Sequence, residues 1–288
     1  MRANGKMTLV PDMSPGNEKI AAGCCPRSRQ QLGRLLERVA LRGNTPAFVE
    51  NDPVRFPRRY SRLQDAEIAG ILCATIAWGR RSSILVSCER MLASMGESPY
   101  RYVMRCADIP LDGRAVHRTF SQADFAWFLR GLKSLYARYE SLEELFAPRA
   151  GERGLWDGIG RFRREMLRAT AAYPALGRHI SCPDKHSACK RLHLFLRWMV
   201  RDDGIVDLGL WKRIRPADLS VPLDVHVGRV ARSLGLLTRR QNDRKAVEEL
   251  DAVLRRFDPH DPVRYDFALF CLGIEGSGQE DGRECSMP

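Results

Sequence analysis

The chain has 288 residues, 44% hydrophobic and 28% charged, a balance that suits a globular protein with a large core. Its formal net charge of +12 favours a polyanionic partner, although the basic residues are overwhelmingly Arg, with Lys only at 6, 19, 133, 185, 190, 212 and 245. No run approaches the ~20 apolar residues of a membrane span, and the opening residues lack the apolar core of a secretory signal, so a cytoplasmic chain with no membrane partner is expected.

In chain order, residues 1–27 read as a disordered or weakly ordered tail, 28–275 as a helical domain without separable lobes, and 276–288 as a second tail. Asn51–Pro57 reads as extended, because its two prolines disfavour helix at the residues before them. Helical stripes follow at Ile68, Ile71, Leu72, Thr75 and Ile76, then from Phe125 through Phe128, Leu129, Leu132, Leu135 and Tyr136 to Tyr139. Ser141-Leu-Glu-Glu144 is a capping-box pattern, and residues 147–154 read as a surface loop. Leu192, Phe195, Leu196, Met199 and Val200 form a third stripe, and Val247, Leu250, Leu254 and Phe257 a fourth; Asp261-Pro262 marks a further helix start. With no alternating strand, hairpin or repeat, the expected fold is all-α, with about a dozen helices at ordinary helix lengths. The nine cysteines include no CxxC pair, which argues against zinc and a disulfide framework and for reduced thiols.

Two segments draw attention. In Pro222-Leu-Asp-Val-His-Val-Gly-Arg-Val230, Asp224 precedes a helix whose apolar face is Val227, Val230, Ala231 and Leu234, so it reads as an N-cap. In Cys182-Pro-Asp-Lys-His-Ser-Ala-Cys-Lys-Arg191, a short polar turn leads into a helix opening on Lys190 and Arg191. On a helical wheel Lys190 lies opposite the third stripe, beside Leu194 and Arg197, where a solvated surface Lys would also lie. Arg80-Arg81 reads as a charge cluster at a helix C-terminus or as a basic corner facing a polyanion. His193 and His226 read as structural, since no ligand at metal spacing accompanies them, and Asp207 as a cap or a second acid.

Asp224-x-His-Val-x-Arg-Val230 resembles the loop-to-helix segment of the helix-hairpin-helix DNA glycosylase superfamily, the relatives of endonuclease III and the 8-oxoguanine glycosylases. The likeness is confined to about 182–236. A wider one, over most of 28–275, is to a bacterial family of unknown function with glycosylase-like features. It is carried by Asn51–Pro57, Ala77-Trp-Gly-Arg-Arg81, Lys190-Arg191 through Trp198-Met-Val-Arg201, and Val206–Trp211. That family usually has Gly-Ser before Cys-Lys-Arg and Thr after the Asp, where this chain has His186-Ser187 and Val225. A Gly there permits φ > 0 or close approach to phosphate, which His does not freely supply. The iron–sulfur cluster of some endonuclease III relatives is not expected, since only Cys271 and Cys285 lie near the C-terminus.

The resemblance implies a two-lobed glycosylase-like fold with a cleft, a nucleic-acid partner in the form of damaged duplex DNA, and no metal or cofactor. It makes Lys190 the nucleophile and Asp224 the catalytic carboxylate. The hairpin at 184–191 would hold a DNA phosphate through backbone N–H groups. Lys185, His186, Ser187 and Arg191, together with Arg80 and Arg81, would contact nucleic acid. Trp198 and Trp211 are candidates for stacking on an everted base, although a Trp in or beside an apolar helix more often packs in the core. The alternatives are a catalytically silent DNA- or RNA-binding module of the same fold and a helical protein-interaction scaffold.

Overall fold

A computed structural model describes residues 28–105 and 113–280, with side chains to 274. The tail expected at 1–27, the end of the tail expected at 276–288, and Cys24, Cys25, Cys106 and Cys285 lie outside the described residues. Within them, twelve α-helices and one two-stranded hairpin make the fold predominantly helical, as expected.

The chain opens with α1 (Arg29–Gly43), started by a capping box in which Ser28 and Gln31 each accept the other's backbone N–H. A short α2 (Pro46–Glu50) follows. The expected extended stretch at 51–57 is instead the start of two successive 3₁₀ turns, Pro53–Arg55 and Pro57–Arg59. Each proline takes the first position of its turn, where its missing N–H costs nothing, and Asp52 caps the first by accepting the Val54 N–H at 3.0 Å.

The central helix is α3 (Leu63–Thr75), buried along its whole length from Asp65. Its apolar residues therefore do not form one stripe; neighbours cover every side. After a corner at 76–80 come α4 (Arg81–Ala93) and α5 (Pro99–Arg105). Among the described residues the strand-free expectation fails only at β1 (Ala115–His117) and β2 (Phe120–Ser121), whose few residues carry no readable alternation. Next are α6 (Gln122–Tyr136), α7 (Glu143–Phe146) and α8 (Leu155–Ala169), with residues 147–154 looping between the last two as expected.

Beyond α8 the chain makes two 3₁₀ turns, Pro174–Arg178 and Pro183–Lys185, before α9 (Lys190–Val200). The hairpin anticipated at 184–191 is thus not flanked by two α-helices; a 3₁₀ turn stands where its first helix was expected. The remaining helices are α10 (Val225–Ser233), α11 (Arg244–Leu254) and α12 (Asp266–Glu280), the last continuing from the 3₁₀ turn Pro262–Tyr265. α9 packs on α3, where Gly70 lets the Phe195 ring approach: a Cβ at 70 would lie 3.1 Å from a ring carbon. Buried residues from Leu36 to Leu269 form one contiguous core.

Glu67 of α3 organises the middle of this core. Fully buried, its carboxylate accepts from the Trp211 indole N–H (2.7 Å), the Tyr136 hydroxyl (2.9 Å), the Ser141 hydroxyl (2.5 Å) and the Leu142 amide (3.2 Å). Burial pushes its carboxyl above the usual range, and these donors oppose the rise.

Candidate active site

Three helix N-termini meet at one small cavity. α9 brings Lys190, α10 is capped by Asp224, and α4 begins at Arg81; all three side chains line a cavity of about 110 Å³. The Asp224 carboxylate divides its oxygens. Oδ1 accepts the Val227 N–H at 2.9 Å, which is the cap the sequence implied, and Oδ2 lies 3.4 Å from Lys190 Nζ. Both side chains keep about a third of their surface open, 30% for Lys190 and 33% for Asp224. The Asp224 backbone is fixed as well, its carbonyl accepting from the Gly228 amide at 2.9 Å and the Asn242 side chain at 3.0 Å.

Lys190 Nζ also lies 3.4 Å from the Ala77 carbonyl, so the amine sits between the α3–α4 corner and α10. Behind it on α9, Leu194 and Arg197 continue the same face into the cavity wall. The helix therefore buries two faces, one apolar against α3 and one basic. The deep end of the basic face is a closed ion network. Arg197 donates to Asp207 (3.2 Å) and Asp266 (2.5 Å), and Arg201 to Asp207 (3.0 Å), Asp261 (2.8 Å) and Asp203. Burial raises the Asp266 carboxyl; Arg197 opposes the rise and the nearby Asp224 charge adds to it. Asp207, expected as a cap or second acid, is a buried member of this network, pushed up to about 6 by burial.

The outer wall is aromatic. Phe48 and Phe270 meet edge to face with centroids 5.7 Å apart, and the Arg81 guanidinium lies 4.5 Å from the Phe270 centroid while pairing with Asp52 at 3.3 Å. Phe48, Asp266 and Phe270 have no sequence signal, and Asp52 is read only as part of the Asn51–Pro57 segment. They come from both ends of the chain, and no spacing rule joins them.

The other expected contacts divide by exposure. Lys185 and His186 face solvent on the turn before α9, and so does Arg80 at the start of α4. Arg80-Arg81 thus opens a helix; the C-terminal placement is corrected by Gly79, whose φ of +95° ends the corner after α3. Arg191 turns inward, donating to the Thr75 carbonyl at 2.6 Å with its guanidinium 4.9 Å from the Trp78 centroid. Ser187 spends its side chain on the Cys189 amide (3.2 Å) and bridges to Asp243. Trp198 and Trp211 are core residues, 0% and 1% exposed, so neither offers a face to a stacked base. His193 is buried as expected. His186 adopts φ +57°, the left-handed conformation that a Gly at this position would reach without strain.

A family profile described as a protein of unknown function, DUF2400, matches residues 52–275. The chain belongs to the DUF2400 family. No curated protein and no solved structure gives a significant match. Membership of a family of unknown function is thus shown, while nothing in these matches ties DUF2400 to the helix-hairpin-helix glycosylases. Among the described residues of this DUF2400 chain no group of three or more His, Cys, Asp or Glu is arranged to hold a metal ion, and no helix is long and apolar enough to cross a membrane. The Cys189 thiol beside Lys190 is pushed up to about 12 by burial, which keeps it from serving as the nucleophile. At the cavity of this DUF2400 chain the Lys190 amine and the Asp224 carboxylate face each other, each about a third exposed.

Proposed function

We propose that the chain is a DNA glycosylase with AP lyase activity, acting on a damaged base, with an oxidised purine the substrate to try first. The observation that carries this reading is the Lys190–Asp224 pair, 3.4 Å apart, half-open, at the meeting of helix N-termini. A pair placed only for stability needs neither the opening nor the aromatic cavity beside it.

In this reading the neutral Lys190 amine attacks C1′ and the glycosidic bond breaks, its electron pair leaving with the base, which takes up a proton. The nitrogen then sheds a proton to Asp224, and its lone pair forms the protonated C1′ imine as the C1′–O4′ bond breaks, O4′ taking that proton from the carboxyl. Removal of a C2′ proton expels the 3′ phosphate and nicks the strand. While ionised, Asp224 Oδ2 stabilises the cationic sugar as the base departs, and only after the C1′–N bond has formed does it accept the proton that the nitrogen sheds. Attack at C1′ requires the nucleotide to leave the duplex stack. At about 110 Å³ the cavity is well below the ~300 Å³ of the smaller ligand pockets, so admission of a base requires the cavity to widen. The N-termini of α9 and α10 and the exposed Arg80 and Lys185 supply the positive surroundings that a phosphate backbone needs.

Borohydride trapping on duplexes carrying an abasic site or 8-oxoguanine tests the proposal. The expected result is a covalent adduct that Lys190→Ala abolishes. DNA binding with neither adduct nor free-base release would replace the enzyme by a silent binding module of the same fold.

A further inference from the structure

A second concavity lies on the other side of the α12 start. Tyr265 lines it, whereas the next residue, Asp266, lines the cavity of the Lys190 site. This groove, of about 550 Å³ and open to solvent, runs between the first turns of α1 and the α11–α12 connection. Arg29, Arg34 and Arg256 line it, all exposed, and among the described residues none of their guanidiniums has a carboxylate or carbonyl partner. Its one carboxylate, Glu37, is already matched by Arg264 at 2.6 Å. The floor is aromatic: Phe257 and Tyr265 meet edge to face at 6.1 Å, and the Arg29 guanidinium lies 5.6 Å from the Phe257 centroid. Gly33 makes room for that ring, since a Cβ at 33 would stand 3.0 Å from its Cδ1.

We infer that this groove binds the phosphodiester backbone of a nucleic-acid strand, as a site separate from the Lys190 cavity. Unpaired guanidiniums present planar donor forks that match phosphate oxygens, and an aromatic floor between them accepts the face or edge of a base. Several other exposed arginines among the described residues are matched by an acid, as in Arg59–Glu89 and Arg215–Asp218. Three cations left unmatched around one open groove are a local excess, which a polyanion would neutralise. The inference rests on nucleic acid being the ligand, as proposed above, but not on any chemistry at Lys190.

The test is the salt dependence of binding of a fluorescent single-stranded 20-mer to the full chain. Four proteins are compared: wild type, Arg34→Ala/Arg256→Ala, Lys190→Ala, and Arg101→Ala/Arg105→Ala, which removes the same charge from α5. The groove variant is expected to bind more weakly, with a log–log salt slope shallower by about 1.4, about 0.7 for each single-strand phosphate no longer neutralised. The α5 variant should keep the wild-type slope. Equal losses in both double variants would reduce the effect to net charge and overturn the inference. An unchanged slope in the groove variant would overturn it too and leave an acidic protein segment as the occupant to examine. No binding by wild type would overturn both the groove and the nucleic-acid reading. Because Lys190→Ala leaves all three groove arginines in place, a groove effect without a trapped adduct separates failure of the enzyme proposal from failure of this one.

Discussion

The two ends of one helix face use the same pairing of base and acid in opposite settings. At the outer end of α9, Lys190 and Asp224 sit 3.4 Å apart with 30% and 33% of their side chains exposed; at the inner end Arg197 and Asp207 sit 3.2 Å apart at 3% and 0%. Water reaches the first pair and screens it, so its attraction is small and its partners can separate to meet a substrate. The second pair is dry, and each charge there depends on the other having been brought in with it. The residue types are alike, so exposure decides which pair can open and which ties α9 to the segment that follows it.

The largest expected effect breaks the inner pair. Arg197→Met leaves Asp207 and Asp266 buried with only part of their compensation, and should lower unfolding free energy by about 3–5 kcal/mol. Lys190→Met, one pair further out, should stay within about 1 kcal/mol of wild type. Urea denaturation of the two variants reads the contrast directly. Similar losses at both sites would mean that the outer pair is structural as well.

The next effect lies between the two pairs. His193 is fully buried, its ring nitrogens have no hydrogen-bond partner, and burial with the nearby Arg244 charge pushes it down to about 3. The folded chain therefore holds this ring neutral, whereas the unfolded chain protonates it near an ordinary His value of about 6.5. Its contribution is complete above that pH and is lost as pH falls from about 6.5 towards 3, at about 1.4 kcal/mol per pH unit for one proton. His193→Leu should flatten the acid limb of stability against pH by that amount, so that near pH 5 the two proteins differ from their neutral-pH offset by about 2 kcal/mol. An acid limb unchanged by the substitution would show the ring to be hydrated or paired in solution.

Much of this architecture could be read from periodicity. The α6, α9, α10 and α11 stripes are the buried faces of those helices, and the Asp224 cap is where its local pattern puts it. What escaped depends on distance or on backbone detail. Residues 51–59 carry prolines that read as helix breakers, yet in 3₁₀ turns each proline occupies a first position. Arg197 and Arg201 look like solvated residues on a wheel, because the acids that bury them come from Asp203, Asp207, Asp261 and Asp266. Trp198 and Trp211 are told apart from surface rings only by what covers them, and for Trp211 that includes Glu67, a charged residue inside an apolar helix. The cavity wall of Phe48 and Phe270 has no local signal, since each of these positions is ordinary within its own segment.

The smallest expected effect on stability separates the two oxygens of Asp224. Asn is as good an N-cap as Asp, so Asp224→Asn keeps the acceptor for the Val227 N–H and should change stability by only a few tenths of a kcal/mol, whereas Asp224→Ala loses the cap and about 1 kcal/mol. The carboxylate facing Lys190 is lost in both. If Oδ2 serves the proposed proton transfer, both variants should lose adduct formation and strand nicking together, although only one of them is destabilised. If Asp224→Asn nicks abasic DNA like wild type while Asp224→Ala does not, the residue matters only as the start of α10, and the outer pair differs from the inner one in exposure alone.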